Sequence, residues 1–377
     1  MTTVLLTDGQ QRKTLAAARS LARAGHRVLV ADETRLSLTR FSRACAAGLV
    51  SPPPASAAYR PWLAAAAARV DVVVPMDDLS TEAAIALGPA LGASALLPTA
   101  RQFAAGRDKL ETVALARRAG IAHPRTLEAA TAEAVGSGLE RLGGRAVLRP
   151  RVGAGGRGLR FLGEGRDRVP RADPGEGYLL QERVPLGRKF DVGLLYDRGG
   201  VLRAHFVQEE LRWFPREHGA STLQRPVVRP DLVARAEALI APIGWTGPVE
   251  AEFMLDGRGE PLLLELNPRL WASLGLAVAA GVDFPRLIVD LALDRPVLPQ
   301  TGYRTDLLCR WSLPADTLHF LTHPLRRLAP DAPRRLPGER LVDDILSWHD
   351  PGPAVGFALA ALRYSLDLGK WRELWRL

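Results

Sequence analysis

The fold is decided by the stretch Val249-Glu-Ala-Glu-Phe-Met-Leu-Asp-Gly-Arg-Gly-Glu-Pro-Leu-Leu-Leu-Glu-Leu-Asn-Pro-Arg269, which is typical of two short apolar strands around a glycine-containing turn. Alternation places Glu250 and Glu252 on one face of the first strand. If the loop has four residues, 257–260, Glu252 lies directly across the ladder from Glu265. Two unpaired carboxylates in that position repel each other, so the pattern predicts a cation between them.

The second strand of this hairpin carries two polar residues among leucines. Strict alternation places Leu263, Glu265 and Asn267 on one face and the leucines at 262, 264 and 266 on the other. Side-chain oxygens on a rigid scaffold suit a hard cation such as Mg²⁺. The alternative is an exposed acidic face on an edge hairpin. A polar pair within a buried-looking strand needs a partner, which favours the metal site.

The string Leu264-Glu-Leu-Asn-Pro-Arg269, preceded by Glu252, resembles the metal-binding hairpin of ATP-grasp enzymes. The continuation Trp271-Ala-Ser-Leu-Gly-Leu-Ala-Val-Ala-Ala-Gly-Val-Asp-Phe-Pro285 is similar to the branch near the carbamoyl-phosphate synthase large chain and biotin carboxylase. This resemblance implies that Glu252, Glu265 and Asn267 bind Mg²⁺ (or Mn²⁺) on the phosphates of ATP. It also implies that Arg269, with Asn267, is catalytic and contacts the transferring phosphate.

Composition is that of an ordinary globular protein. The chain has 377 residues, 47% of them apolar and 24% charged, which allows two or three domains. Its two cysteines, Cys45 and Cys309, indicate neither a disulfide framework nor a zinc site. Neither a signal segment nor an apolar run of about 18 residues is present in the sequence, so a cytoplasmic enzyme is expected.

The net charge of +9 raises the question of nucleic-acid binding. The basic residues are scattered along predicted helices without interleaved aromatics, so no nucleic-acid partner is expected. Nearly all of them are arginine, since lysine occurs only at 13, 109, 189 and 370. In so arginine-rich a chain each remaining lysine is informative, because arginine would serve for generic surface charge.

The N-terminal third predicts a doubly wound α/β unit over about residues 1–100. Residues 3–7, 28–32 and 71–75 have the composition of buried parallel strands, and a helix is predicted over 13–24. The first turn, Thr7-Asp8-Gly9-Gln10, lacks the dinucleotide-binding glycine pattern. The resemblance implies a Rossmann-like domain that helps to form the acceptor pocket. Asp77 and Asp78 are predicted to cap the following helix, with substrate contact as the alternative.

Two stretches are candidates for phosphate binding. Gly106-Arg-Asp-Lys109 opens a predicted helix and resembles the ATP-grasp entry helix, whose lysine binds phosphate. A strand through Arg149 then runs into a loop in which backbone N–H groups can approach phosphate oxygens. Its glycines are Gly153, Gly155, Gly156 and Gly158. Family members usually carry lysine where this chain has Arg149, and arginine binds phosphate with a different geometry.

The remaining site candidates follow along the chain. Tyr178-Leu-Leu-Gln-Glu-Arg-Val184 resembles the adenine hinge, which implies base recognition by Gln181, Glu182, Arg183 and Val184, and Asp191 is the candidate for ribose. Residues 208–225 are predicted to form a polar loop between strands. Within that loop, Arg212 and Ser221 are predicted to be catalytic residues.

The predicted fold class is α/β and α+β. A Rossmann-like pre-ATP-grasp domain (1–104) is followed by a two-lobed ATP-grasp domain (105–300), whose lid spans about 121–185. A C-terminal helical or extension region occupies 301–377. Trp371 and Trp375 in that region predict docking on the body of the protein, with contact at a membrane surface as the alternative.

These motifs together predict an ATP-dependent carboxylate–amine ligase. It would form an amide or peptide bond through an acyl phosphate and release ADP and phosphate. The expected partners are small carboxylate and amine substrates resembling amino acids or peptides, and the resemblance leaves a homodimer open. The alternative, motivated by Arg149, is an ATP-binding protein with little ligase turnover and a regulatory or sensing role. A biotin-carboxylase-like activity also remains open within the fold.

Overall fold

The computed structural model describes residues 1–153, 158–163, 177–215, 219–322 and 333–365. The strands are β1 Thr3–Leu6, β2 Arg27–Asp32, β3 Ala47–Val50, β4 Val72–Val74, β5 Thr126–Glu128, β6 Ala146–Pro150, β7 Arg160–Leu162, β8 Tyr178–Glu182, β9 Lys189–Tyr196, β10 Leu202–Phe214, β11 Ala220–Pro226, β12 Gly247–Leu255, β13 Pro261–Asn267, β14 Leu307–Arg310 and β15 Arg340–Asp343. The helices are α1 Arg12–Arg23, α2 Tyr59–Ala67, α3 Asp78–Leu87, α4 Ala100–Arg107, α5 Lys109–Arg118, α6 Ala132–Arg141, α7 Pro230–Ile240, α8 Leu274–Ala280, α9 Phe284–Ala292, α10 Thr317–Thr322 and α11 Gly352–Ser365.

The N-terminal unit is the predicted doubly wound sheet. Its four strands lie in the order β3-β2-β1-β4, and all of its pairings are parallel. Helix α1 ends one residue before the helix predicted from the sequence, and Gly25 follows with a φ of +83°, a conformation that glycine adopts without a steric penalty. Asp77 is the N-cap of α3, and the backbone N–H of Asp77 donates a hydrogen bond to Ser80 Oγ at 3.1 Å. The predicted fold class is confirmed.

Two further sheets form the rest of the molecule. The small sheet has the order β5-β8-β6-β7 and packs on α6 around a compact core that includes Val135, Leu148 and Leu180. The large sheet has the order β13-β12-β9-β10-β11-β14-β15. The strands β14 and β15 from the C-terminal region therefore extend the large sheet, which the helical prediction for that region did not anticipate.

The polar loop predicted over 208–225 is wrong. Strand β10 continues to Phe214, and β11 begins at Ala220, so most of this stretch is paired antiparallel strand. The stretch escaped recognition as strand because polar residues interrupt the apolar alternation of a core strand, and some of them, such as Glu210 and Ser221, line a cavity.

The β12–β13 hairpin contains a bulge that the sequence did not reveal. Glu252 pairs with Glu265 as predicted, but Leu255 pairs with Pro261, so the loop has five residues and the register shifts between Glu252 and Phe253. The extra residue, Leu264, reverses the predicted sides of Leu263 and of Leu264 itself, whereas Glu265 keeps its predicted side. Leu263 packs in the core beside Leu266, whereas Leu264 faces the cavity.

Candidate active site

A cavity of about 600 Å³ lies between the small and large sheets. Eleven of the residues singled out from the sequence line it, namely Arg149, Gln181, Glu182, Arg183, Val184, Asp191, Ser221, Glu252, Glu265, Asn267 and Arg269. They come from the small sheet, from four strands of the large sheet and from the segment after β13. The tertiary structure therefore brings together motifs that lie more than a hundred residues apart.

One end of the cavity is apolar and adjoins the predicted hinge. The chain leaves the ladder of β8 at Glu182, and residues 183–186 line the cavity. Apolar side chains surround this end, namely Val147, Leu159, Phe161, Leu186, Met254 and Leu264. A flat apolar slot beside a strand edge suits a heteroaromatic base.

Two cations converge on Glu265, which lines the cavity together with Arg149, whereas Lys109 is not among the lining residues. Arg149 forms an ion pair with Glu265 and donates a second hydrogen bond to Gln181 Oε1 at 3.2 Å. Lys109 Nζ lies 3.9 Å from Glu265 Oε2 and donates to the carbonyl of Gly153 at 2.6 Å. Burial alone would raise the pKa of Glu265, but Lys109 and Arg149 outweigh it and lower that pKa.

The predicted Gly-rich loop is only partly described. Gly158 has a φ of +73°, and a Cβ there would lie 2.9 Å from Pro150, so glycine is required. Gly155 and Gly156 lie outside the described residues. The Gly153 carbonyl bonds Lys109, which ties the start of the loop to the N-terminus of α5.

The floor of the cavity is a group of buried carboxylates on the large sheet. Strand pairing places Glu250 and Glu252 of β12 beside Gly193 and Asp191 of β9. Asn267 Nδ2 donates to Glu250 at 2.9 Å and to Glu252 at 2.8 Å. Burial and neighbouring carboxylates raise the pKa of Asp191 and of Glu250 well above the ordinary values, and burial with Glu265 raises that of Glu252 to about 7.

This donor set fits a hard divalent cation. Carboxylates of like charge lie close together in a buried floor, an arrangement that a bound cation would stabilise. In the described part of the chain, no three His, Cys, Asp or Glu side chains are already arranged around one metal position. The predicted set has two carboxylates, Glu252 and Glu265, and the amide Asn267. Glu265 is engaged by Arg149 and Lys109, so cation binding would require a rearrangement of that ion pair.

Arg269 is buried and fixed by the N-terminal unit. Its Nε donates to Asp78 Oδ1 at 2.7 Å, and its terminal nitrogens donate to the Leu270 carbonyl and to Asn267 Oδ1, at 3.1 and 3.3 Å. Burial alone would lower its pKa, but Asp78 and Asp77 raise it above the ordinary value. Arg269 lines the cavity and also orients Asn267, a positioning function that the sequence did not predict.

Two predicted residues lie elsewhere than expected. Asp191 accepts a hydrogen bond from Gln208 Nε2 at 2.7 Å and lies among the floor carboxylates, not beside the hinge where a ribose would be bound. Arg212 pairs with Asp316, stacks at 4.6 Å from the Phe320 ring, and is not among the cavity-lining residues.

Some cavity-lining residues were not singled out from the sequence. These are Arg12, Lys189, Glu210, Glu250 and Ser273 among others. Lysine is rare in this chain, and the structure buries Lys13 and Lys109 and places Lys189 in the cavity lining. The rarity of lysine could therefore have identified Lys189 as a candidate site residue. Arg12 had no comparable signal, since arginine is abundant throughout the chain.

The described residues include no helix that is long and apolar enough to cross a membrane. Trp371 and Trp375, on which the surface-contact alternative depended, lie outside the described residues.

Comparison with known families gives one match. A family model described as "ATP-grasp in the biosynthetic pathway with Ter operon" matches residues 204–311, which include most of the large sheet and the floor carboxylates Glu250 and Glu252. No curated protein sequence matches the chain.

Solved structures match over most of the chain. N5-carboxyaminoimidazole synthetase from Staphylococcus aureus, complexed with ADP, has a TM-score of 0.64 at 14% identity over 81% of this chain and 80% of that one. A biotin carboxylase complex from Campylobacter jejuni has a TM-score of 0.66 at 17% identity over 82% and 74%.

The biotin carboxylase domain of 2-oxoglutarate carboxylase from Hydrogenobacter thermophilus, bound to MgADP, ADP and bicarbonate, has a TM-score of 0.65 at 14% identity over 82% and 73%. Identities this low carry over the fold and not a substrate. The resemblance predicted from the sequence is thus confirmed: the chain has the ATP-grasp fold of N5-carboxyaminoimidazole synthetase and biotin carboxylase.

Proposed function

We propose that this chain is an ATP-dependent carboxylate–amine ligase. The observation that carries the proposal is the composition of the cavity: an apolar end at the hinge, Arg149 in the lining with Lys109 close behind it on the same carboxylate, and a floor of buried carboxylates. These three environments suit, in this order, the base of a nucleotide, its phosphate groups and a reaction centre that is assisted by a cation. The family model and the fold support the same class of enzyme.

The proposed reaction has two steps. An oxygen of the substrate carboxylate attacks the γ-phosphorus of ATP, the bond to the bridging oxygen of ADP breaks, and an acyl phosphate forms. The amine nitrogen then attacks the acyl carbon, phosphate leaves with its oxygen, and the nitrogen loses a proton. Positioning and electrostatic stabilisation provide the rate enhancement, which is consistent with a site that is rich in Arg, Lys and carboxylates.

Each group of residues in the site contributes to one part of this reaction. Arg149 and Lys109 would hold the phosphates, and Glu252, Glu265 and Asn267 would hold Mg²⁺, which neutralises charge that develops on the transferring phosphoryl group. Arg269 orients Asn267 through a hydrogen bond to its side-chain oxygen. The small sheet covers the nucleotide and excludes water from the acyl phosphate. Localisation in the cytoplasm and the identity of both substrates stay predictions.

Phosphate release from Mg·ATP tests this function. We expect release that depends on one carboxylate and one amine from a panel of amino acids and dipeptides, tested singly and in pairs. In Glu265→Gln, release should fall by about 100-fold, because a negative charge at the reaction centre is lost. The matched control Glu260→Gln lies on the exposed hairpin turn and should keep full release.

A second candidate function is nucleotide binding without turnover. The ion pair between Arg149 and Glu265 favours it, because it engages a predicted metal ligand. Calorimetric binding of Mg·ADP without phosphate release under any substrate pair would support this binder and contradict the ligase.

A further inference from the structure

The cavity has a far end, away from the hinge, where α1 and the segment after β15 approach strand β11 of the large sheet. Arg12 and Gly219–Ser221 line it. Ser221 lies on β11, three strands from β12 in the order β12-β9-β10-β11. With neighbouring strands about 4.8 Å apart, the far end is roughly 14 Å across the sheet from Glu252.

Arg12 is the cation of this far end, and its guanidinium is held on three sides. One terminal nitrogen pairs with Asp344 at 2.6 Å, the other donates to the Ser221 carbonyl at 3.1 Å, and the Trp311 ring lies 4.3 Å away. The Arg12 side chain is only 4% exposed. A buried guanidinium fixed in this way has lost its rotamer freedom before any ligand binds, so binding does not have to order it.

Asp344, the anchor of Arg12, occupies a slot that the fold leaves for it. A Cβ on Gly275 would lie 2.6 Å from Asp344 Oδ1, so only glycine leaves room for the carboxylate. Cys309 Sγ donates to the same oxygen at 3.4 Å. Burial raises the pKa of Asp344, and Arg12 opposes that rise. The segment after β15 thus takes part in building the far end of the cavity.

Arg12 retains donors for a ligand. A guanidinium has five N–H groups, and the hydrogen bonds of Arg12 to described residues involve one on each terminal nitrogen. Paired N–H groups in a fixed plane match the two oxygens of a carboxylate or of a phosphate. The Ser221 hydroxyl belongs to a residue that lines the same end and can add a further hydrogen bond.

We propose that Arg12 recognises a carboxylate or phosphate group of the acceptor substrate, at the end of that substrate opposite to the reacting group. This inference rests on the proposed ligase function. An extended chain spans at most about 3.3–3.6 Å per residue, so the span of roughly 14 Å corresponds to at most about four residues, part of which the transferring phosphate would occupy. The acceptor is therefore an elongated, peptide-sized molecule with an anionic end.

The test uses probe pairs that differ by one anionic group. Binding to the full chain saturated with Mg·ADP is measured by calorimetry for alanyl-alanine against its C-terminal amide, alanyl-glutamate against alanyl-glutamine, and alanyl-phosphoserine against alanyl-serine. We expect at least one charged member to bind ten times more tightly than its neutral partner. The first two pairs report on a carboxylate and the third on a phosphate.

Three variants assign the preference to Arg12. Arg12→Gln should remove the preference, and Arg12→Lys should restore part of it. Arg225→Gln should keep it, because Arg225 is also a largely buried arginine paired with the C-terminal segment, at 3.1 Å from Glu339, but does not line the cavity. A wild-type preference that survives in Arg12→Gln overturns the proposal, as does a wild type that shows none.

Kinetics separate recognition from a merely structural function of Arg12. In phosphate release, Arg12→Gln should raise KM for the acceptor by at least tenfold while KM for ATP and affinity for Mg·ADP stay at wild-type values. If KM for the acceptor and KM for ATP rise equally in Arg12→Gln, the effect of the substitution is structural and the assignment is overturned. A wild type that binds Mg·ADP and discriminates between probes but releases no phosphate contradicts the ligase and leaves the anion subsite standing.

Discussion

Buried charged groups are unbalanced in the cavity floor and paired where the C-terminal segment packs on the rest of the protein, a contact that we call the joint. In the floor, Asp191, Glu250 and Glu252 lie together with raised pKa values, and hydrogen bonds from Gln208 and Asn267 do not cancel their like charges. In the joint, each of three arginines from the body has an acidic partner from the segment 316–344. The pairs are Arg12–Asp344, Arg212–Asp316 and Arg225–Glu339.

This difference separates function from stability. Unbalanced buried charge costs free energy in the isolated chain and is retained where a ligand supplies the missing charge. Paired buried charge is locally satisfied, and removing one partner leaves the other without compensation. We therefore expect floor variants to lose activity with little loss of stability, and joint variants to lose stability with little loss of activity.

The largest effect is expected for Glu252→Gln. Phosphate release should fall by about 100- to 1000-fold, because the negative charge is removed where the phosphoryl group is transferred. The melting temperature should stay the same or rise, since one of the repelling carboxylates becomes neutral. Activity and thermal melting are measured on the same preparation. A variant that melts well below wild type would contradict the description of the floor as unbalanced.

For the joint, Arg212→Met should cost about 3 kcal/mol of unfolding free energy, because Asp316 is left buried without its partner. Denaturant unfolding measures this, with Arg235→Met as the control at an exposed pair with Glu260. Phosphate release per folded molecule should change by less than about threefold. A folded variant with release reduced by about 100-fold would instead support the catalytic function predicted for Arg212 from the sequence.

A smaller effect is expected at Arg149, which pairs with Glu265 beside the cavity floor. Arg149→Ala should weaken Mg·ADP binding by about tenfold or more, since a partly buried cation for the phosphates is removed and Glu265 loses a partner. Arg149→Lys keeps the charge and should bind more tightly than the alanine variant. Calorimetry measures both, with Arg141→Ala on the exposed surface of α6 as control. Unchanged affinity in Arg149→Ala would exclude it from the phosphate site.

The smallest effect concerns Lys13, which donates to the Leu270 carbonyl at 3.1 Å and lies 3.5 Å from Asp77. Burial lowers its pKa from 10.5 to about 8. Between these two values the unfolded chain binds more protons than the folded one, so stability rises with pH. Unfolding free energies of wild type relative to Lys13→Met should increase by about 2 kcal/mol from pH 8 to 10. A constant difference would show that Lys13 titrates normally.

Local patterns in the sequence were sufficient to predict several strands and one side-chain pairing of this structure. The parallel strands near 3–7, 28–32 and 71–75, the hinge strand and the pairing of Glu252 with Glu265 were all predicted and are all present. They follow from hydrophobic periodicity and turn chemistry, which act between residues close in the chain. The predictions that the structure does not support concern side chains whose position depends on distant elements, such as Arg212 and Asp191.

The sequence by itself was sufficient to predict the fold class and the pairing of Glu252 with Glu265 in the hairpin, because both depend on motifs of short range. Only the tertiary structure decided which arginines reach the cavity. Arg12 and Arg212 have the same chemistry, yet one lines the cavity and the other holds Asp316. The tertiary structure also decided the side on which Leu264 lies, because one extra residue in a strand shifts the alternation of side chains across the bulge.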